Sequence, residues 1–319
     1  MKPVRVGVVG VGYLGKFHAE KYARLPEARL TGIVDTDRAR ALEVAEKFNV
    51  PVFDDYNDLM GLVDAVSVVV PTDRHYEIAG AFLKNGVDVL VEKPITTTIE
   101  EADGLIDSAQ AGGCILQVGH LERFNAAVLA LDGILTKPMF IESHRLAPFK
   151  DRGTEVDVIL DIMIHDIDII LTIVGAPVTS IHAVGVPVVS AEKNDIANVR
   201  LEFATGCIAN VTASRISAKE MRKTRIFQQD AYLSIDYASQ QVEVYRKLDA
   251  PAPEGTPEIS YDLIDITQGD SLEQEIRSFL SAVATRSTPE VPGEAGRNAL
   301  RVALEIVQQV EKKKAALQL

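Results

Sequence analysis

The sequence predicts an α/β domain with a doubly wound parallel sheet, followed by an α+β domain with a large, open, mainly antiparallel sheet. Three observations carry this prediction. Short apolar runs alternate with amphipathic segments from Val4 to His120. After His120 that rhythm gives way to successive strand-like runs. The length of 319 residues suits two domains, each with a sizeable core, better than one.

In the first half the strand candidates are residues 4–9, 29–34, 65–70, 87–92 and 114–119. They are nearly continuous in Val, Ile and Leu, as expected where helices cover both faces of a parallel sheet. Helix candidates lie near 15–25, 38–48, 74–85 and 99–111, and strand–helix repetition of this kind specifies a doubly wound domain. In the second half a helix-like segment at 123–135 ends near Lys137-Pro138. A strand at 140–146, a polar loop at 148–155 and helical spacing over 156–174 follow. Strand candidates at 179–186, 196–204, 207–214, 224–229, 231–236 and 241–247 predict an open antiparallel sheet of about six strands, with hairpin turns at Ala204-Thr205-Gly206 and Gln229-Asp230. Residues 250–257 read as a surface loop. Two helices close the chain, with stripes at Leu272, Ile276, Phe279, Leu280 and Val283 and at Leu300, Leu304, Val307 and Val310. The domain division falls at 1–122 and 123–319.

Composition narrows the function classes. The net charge of −13 argues against nucleic acid or an anionic membrane as the main partner. No apolar run is long enough to span a membrane, and the start, with Lys2 and Arg5, reads as a strand entering a glycine turn rather than as a signal peptide. A cytoplasmic location is therefore expected. Neither Cys114 nor Cys207 has a CxxC partner, so no zinc or redox pair is predicted.

The turn Gly10-Val11-Gly12-Tyr13-Leu14-Gly15 matches GxGxxG, follows an apolar strand and opens a helix. Gly10 permits the tight turn, Gly12 lets backbone approach a pyrophosphate, and Gly15 allows close helix–strand packing, the arrangement of a Rossmann dinucleotide site. Asp35 stands twenty residues past Gly15, where a carboxylate accepts from both ribose hydroxyls and repels a 2′-phosphate. NAD is therefore expected over NADP, with Thr36 beside it and Arg38 partly offsetting the repulsion. Pro71 and Thr72 close the third long strand and are placed to line the cofactor. His75 either joins them or is a helix-start surface residue. The strand at 87–92 runs into Glu92-Lys93-Pro94. A lysine there points toward a nicotinamide and can stabilise an alkoxide, although a lysine at a strand end is also commonly just solvated. Pro94 fixes the turn and can take the cis form.

On the helical segment 156–174, Asp157, Asp161, His165 and Asp168 form one polar stripe among Val158, Ile159, Leu160, Ile162, Ile164, Ile167 and Ile169. A His beside a carboxylate is a credible general base near neutral pH. The stripe is alternatively the solvent face of the helix. A metal needs more ligands than Asp161 and His165 supply, so none is expected.

In this order and spacing GVGYLG, VVVPT, the EKP tripeptide and Asp161-xxx-His165 resemble the Gfo/Idh/MocA family of oxidoreductases over essentially the whole chain. The resemblance implies that Lys93 and His165 are the catalytic pair, with Asp161 binding or orienting substrate. It implies a homodimer or homotetramer through the open sheet, and a last helix, 295–316, packed back on the nucleotide domain. The stretch Gly119-His120-Leu121-Glu122-Arg123-Phe124-Asn125 resembles the branch that oxidises the 3-hydroxyl of UDP-N-acetylglucosamine ahead of a transamination for lipopolysaccharide synthesis. Two basic sets are consistent with an anionic nucleotide-sugar substrate: His120, Arg123, His144, Arg145, Lys150 and Arg152, and Arg215, Lys219, Arg222, Lys223 and Arg225. For the second set, solvated loop charges are the competing reading. The substrate contacts expected are Lys93, His120, Arg123, Asn125, Arg145, Asp161 and His165. The alternatives are a dehydrogenase of an uncharged polyol such as inositol, or a non-catalytic NAD-dependent sensor.

Overall fold

The computed structural model describes residues 2–149, 156–190, 193–251 and 257–317. Contacts divide the chain into two units, Met1–Leu121 with Asp270–Leu300, and Glu122–Gly269 with Arg301–Leu319.

The first unit is a six-stranded parallel sheet built from β1 (Val4–Val9), β2 (Ala28–Val34), β3 (Val52–Phe53), β4 (Ala65–Val68), β5 (Asp88–Glu92) and β6 (Leu116–Gly119). Its order is β3-β2-β1-β4-β5-β6, so the chain reverses its winding direction between β1 and β4. Helices α1 (Gly15–Arg24), α2 (Arg38–Phe48), α3 (His75–Lys84) and α4 (Ile99–Gly112) connect the strands. The strands are buried on both faces, which explains their continuous Val and Ile content. Helix α4 starts in a capping box, Thr98 accepting from Glu101 N and Glu101 from the Thr98 amide. The later helix α7 (Ser271–Thr285) belongs to this unit and buries Ile276, Phe279, Leu280 and Val283 against α1 and β1 residues.

The second unit is an eight-stranded sheet of β7 (Pro138–Leu146), β8 (Val178–Val186), β9 (Ile196–Phe203), β10 (Ile208–Ser214), β11 (Met221–Gln228), β12 (Ala231–Asp236), β13 (Gln241–Pro251) and β14 (Pro257–Leu263). The order is β14-β13-β12-β11-β7-β10-β9-β8, antiparallel except between β7 and β10. Burial alternates along β7: Ile141, Ser143 and Arg145 point inward, while Phe140, Glu142 and His144 lie on the more exposed face. On that face Phe140, Phe227, Tyr232, Tyr245 and Tyr261 form a row, with successive ring centroids 5.6, 4.8, 5.2 and 5.1 Å apart.

Three sequence expectations are corrected. The sheet has eight strands rather than about six, and residues 257–263 form β14; of the expected loop at 250–257, residues 252–256 lie outside the described part. The helix expected over 123–135 is a short 3-10 turn, Leu121–Phe124, and one α-turn, α5 (Ala126–Leu129), because Asn125 caps a new start at Ala127 N and Gly133 adopts φ +72°. Residues Ile159–Met163 form a π-helical turn ahead of α6 (Ile164–Val174). The first unit also takes in Asp270–Leu300, with all of α7 and the start of the last helix, where Arg297 pairs with Asp103. The last helix, α8 (Gly293–Leu317), leaves its turns from Arg301 with the second unit. There Gln309 exchanges hydrogen bonds with β8, accepting from Ala183 N and donating to Ile181 O, both at 2.6 Å.

Candidate functional site

In the first unit a cleft of about 730 Å³ opens over the carboxyl ends of β1, β2 and β4. That volume is of the size small-molecule sites use, and the place is the reversal point where such sheets bind ligands. Gly10 adopts φ +86°, and a Cβ there would stand 2.3 Å from Val69 O. A Cβ on Gly15 would stand 1.8 Å from Gly10 O, so α1 can close on the turn only with glycine. Nothing lies within 4 Å of where a Gly12 Cβ would be, which leaves its backbone open to the cleft. No side chain caps the start of α1 at Leu14; Tyr13 and Leu14 expose their side chains beside it. A helix start of this kind suits a pyrophosphate.

Asp35 follows β2 with its side chain only 5% exposed. It accepts from Val11 N and Asp37 N, each at 2.8 Å, and from Arg40 Nη2 at 2.7 Å. Burial by itself raises its pKa, but the Arg40 hydrogen bond, the two amides and the Arg40 charge outweigh that and hold it below the usual range. Thr36, Arg40 and Pro71 line the same cleft. Arg38 does not: it is exposed and paired with Asp54. The arginine that bears on Asp35 is therefore Arg40. Asp37 caps α2 by accepting from Arg40 N, which turns the first helical turn so that Arg40 faces back to Asp35. These residues fit an NAD adenosine and pyrophosphate.

The remaining cofactor expectations divide. Thr72 opens a one-turn 3-10 helix. His75 is buried and does not line the cleft. Its Nε2 lies 2.9 Å from Val70 O and its Nδ1 2.9 Å from Pro94 O, which ties the end of β4 to the Lys93–Pro94 turn. Burial pushes its pKa down against the pull of those carbonyls. The Lys93–Pro94 peptide is cis. Glu92 also turns away from the cleft: its Oε1 lies 3.2 Å from His18 Nε2 and its Oε2 accepts from Lys93 N at 3.2 Å. Lys93 is half-buried at the end of β5, and His120 is buried just past β6.

In the second unit Asp161 sits in the π-turn and His165 in the first turn of α6, both half-buried. π-turns recur at functional sites. The four-residue polar stripe does not survive as a set. Asp157 accepts from Ile159 N at 2.9 Å and Asn194 Nδ2 at 2.5 Å, so it is a cap and an anchor. Asp168 is buried and takes a two-bond grip from Arg123, at 2.7 and 2.6 Å.

The arginines expected to read substrate are likewise used within the chain. Arg145 is 6% exposed, bonded to Asp166 at 2.9 and 3.0 Å and to Glu122 at 3.2 Å. Burial would lower its pKa, but the two carboxylates dominate and raise it. Asn125 is spent on its helix cap and on Tyr237 O at 3.0 Å. Lys150 and Arg152 lie outside the described residues. In the second basic set Arg222 pairs with Glu220, Lys223 with Asp236 and Arg225 with Glu142, while buried Arg215 donates to Val156 O at 2.6 Å. Carboxylates distant in sequence thus hold Arg123, Arg145, Lys223 and Arg225 within the chain.

Residues 4–120 match the family described as an oxidoreductase family with an NAD-binding Rossmann fold, and residues 132–234 match the GFO/IDH/MocA C-terminal domain. A UDP-N-acetylglucosamine 3-dehydrogenase from Acidithiobacillus ferrooxidans is 39% identical, with 97% of each chain covered. A solved structure of that enzyme superposes with a TM-score of 0.92 over 98% of this chain and 99% of its own. A myo-inositol 2-dehydrogenase from Thermotoga maritima is 28% identical, covering 98% of each. With a glycine turn and Asp35 suited to NAD, and with both domains matched in order, this chain belongs to the Gfo/Idh/MocA family of NAD-binding oxidoreductases.

Proposed function

We propose that the chain is a UDP-N-acetylglucosamine 3-dehydrogenase, oxidising the sugar 3-hydroxyl to a ketone, in the lipopolysaccharide-related setting that the resemblance implies. The observation that carries this reading is the full-length likeness to the A. ferrooxidans enzyme of that name. Bound NAD supplies the hydride acceptor. Lys93 hydrogen-bonds the reacting hydroxyl and stabilises the oxyanion as the carbon is oxidised. His165 accepts the hydroxyl proton, and Asp161, one helical turn before it, orients the sugar and the imidazole. The active form is proposed to be a homodimer or homotetramer that covers the aromatic row of the second unit's sheet, and its place is the cytoplasm. Among the described residues no helix is long and apolar enough to cross a membrane.

One observation favours a second reading. Arg123 and Arg145 already hold internal carboxylates, which argues against these two as readers of a diphosphate and suits an uncharged polyol such as inositol. Comparing NADH formation with UDP-N-acetylglucosamine, UDP-N-acetylgalactosamine, N-acetylglucosamine and myo-inositol decides between them. Turnover only on the nucleotide sugars supports the first reading. Turnover on inositol alone transfers the function to the second, and NAD binding with no turnover on any sugar leaves a sensor.

A further inference from the structure

A buried polar cluster lies within the first unit beneath the strand end that bears Lys93. One oxygen or nitrogen from each of His18, Glu92 and Glu275 lies within 4.8 Å of the other two. Glu275, on α7, is fully buried, and neither of its carboxylate oxygens has a hydrogen-bond partner. Around it helix α1 gives His18 and Tyr22, β4 gives Ser67, β5 gives Glu92, with Lys93 next in the chain, and β6 gives Gln117, whose Nε2 donates to the Glu275 backbone carbonyl at 3.2 Å.

A chain of polar contacts leads to Glu92: Tyr22 Oη lies 2.8 Å from Ser67 Oγ, Ser67 Oγ lies 3.2 Å from His18 Nδ1, and His18 Nε2 lies 3.2 Å from Glu92 Oε1. An ionised carboxylate accepts only, and Glu92 as an anion accepts from the His18 ring and from the Lys93 amide. Glu92 then holds two of its roughly four acceptor positions filled, by His18 and by Lys93 N. A second anion on Glu275, buried at this distance from Glu92 and without a donor of its own, would be strongly disfavoured by desolvation and by repulsion. Two carboxyls so placed hold one proton between them.

We propose that Glu275 is a neutral carboxylic acid in the folded protein, so that Glu275 and Glu92 together carry one proton and one negative charge and support the strand end that bears Lys93. Its role toward Lys93 rests on the proposed function above; its protonation does not. The directions agree: burial first, then the Glu92 charge, push the Glu275 carboxyl well up, whereas His18 and Lys93 bring Glu92 down against its own burial.

The protonation is tested without any turnover. A carboxyl whose pKa rises on folding contributes stability below its unfolded value of 4.5 and loses it as pH rises toward the folded value. The thermal midpoint of Glu275→Gln, which keeps the shape and a neutral donor, is therefore expected to gain on the wild type as pH rises above 4.5. The infrared spectrum should lose one protonated-carboxyl C=O band in the same variant. A midpoint gap that is flat or reversed with pH, or no lost band, overturns the proposal. So does a stoichiometric divalent cation in the purified holoenzyme that disappears in Glu275→Gln, since the carboxyls would then be metal ligands. The positioning role is read separately on the active holoenzyme. Glu275→Ala should lower kcat about tenfold, the scale of a lost outer support, with KM for NAD unchanged and with Glu275→Gln restoring turnover. Equal losses in Ala and Gln overturn that role while leaving the protonation result intact.

Discussion

The two units use charge in opposite ways. In the first, the ligand site is made mostly of backbone: a glycine turn, an uncapped helix start and one aspartate, Asp35, whose hydrogen bonds face the cleft. In the second, charged side chains are numerous, but the principal ones near the sheet's inner face are bound to one another, as in Arg145 with Asp166 and Glu122 and Arg123 with Asp168. Clustering of cations in a sequence is therefore a poor guide to anion binding. Each buried arginine demands a carboxylate, and the fold supplies it from elsewhere in the chain before any ligand arrives.

This contrast can be broken at several points. The largest effect is expected from Arg145→Ala. It leaves Asp166 buried without its partner and should destabilise the protein by about 3–5 kcal/mol, read as a fall in the denaturant midpoint. If stability holds and only nucleotide-sugar affinity falls, Arg145 is a ligand residue after all. Next comes Lys93→Ala, expected to lower kcat by roughly a hundredfold or more with the thermal midpoint nearly unchanged; near-full activity removes Lys93 from the mechanism. Asp35→Ala should weaken NAD by about tenfold through lost charged hydrogen bonds and narrow the preference over NADP, since Arg40 loses its carboxylate. Titrating both cofactors measures it, and an unaltered preference shows that Asp35 does not read the ribose. The smallest effect is expected from Arg225→Ala. Its pair with Glu142 is half-exposed, 46% and 26%, so the change should stay below about 1 kcal/mol.

How far the molecule was legible follows from the range of the forces involved. Strands β1, β2, β4, β5 and β6 and helices α1 to α4 announce themselves by local periodicity, and the glycine turn by local sterics. Strand β3 has two residues and offers no period to detect. The π-turn before α6 adds a residue to a helical ladder that still looks regular in sequence. Arg123 and Asp168 are 45 residues apart, and their meeting depends on tertiary packing. Glu275 reads as an ordinary polar neighbour of the apolar stripe on α7; its burial beside His18 and Glu92 depends on tertiary packing. Arg40 was missed for a smaller reason, since the choice between Arg38 and Arg40 turns on where Asp37 starts the helix.

The row of rings across the second unit's sheet also gives the protein an optical handle. The chain has no tryptophan and eight tyrosines, of which Tyr232, Tyr245 and Tyr261 stand in that row. Its near-ultraviolet absorption and emission are thus tyrosine signals, uncontaminated by indole, and three of the chromophores are concentrated on a single surface. Whatever settles on that surface should alter the spectrum, and emission from bound NADH can be followed alongside without tryptophan as a competing donor.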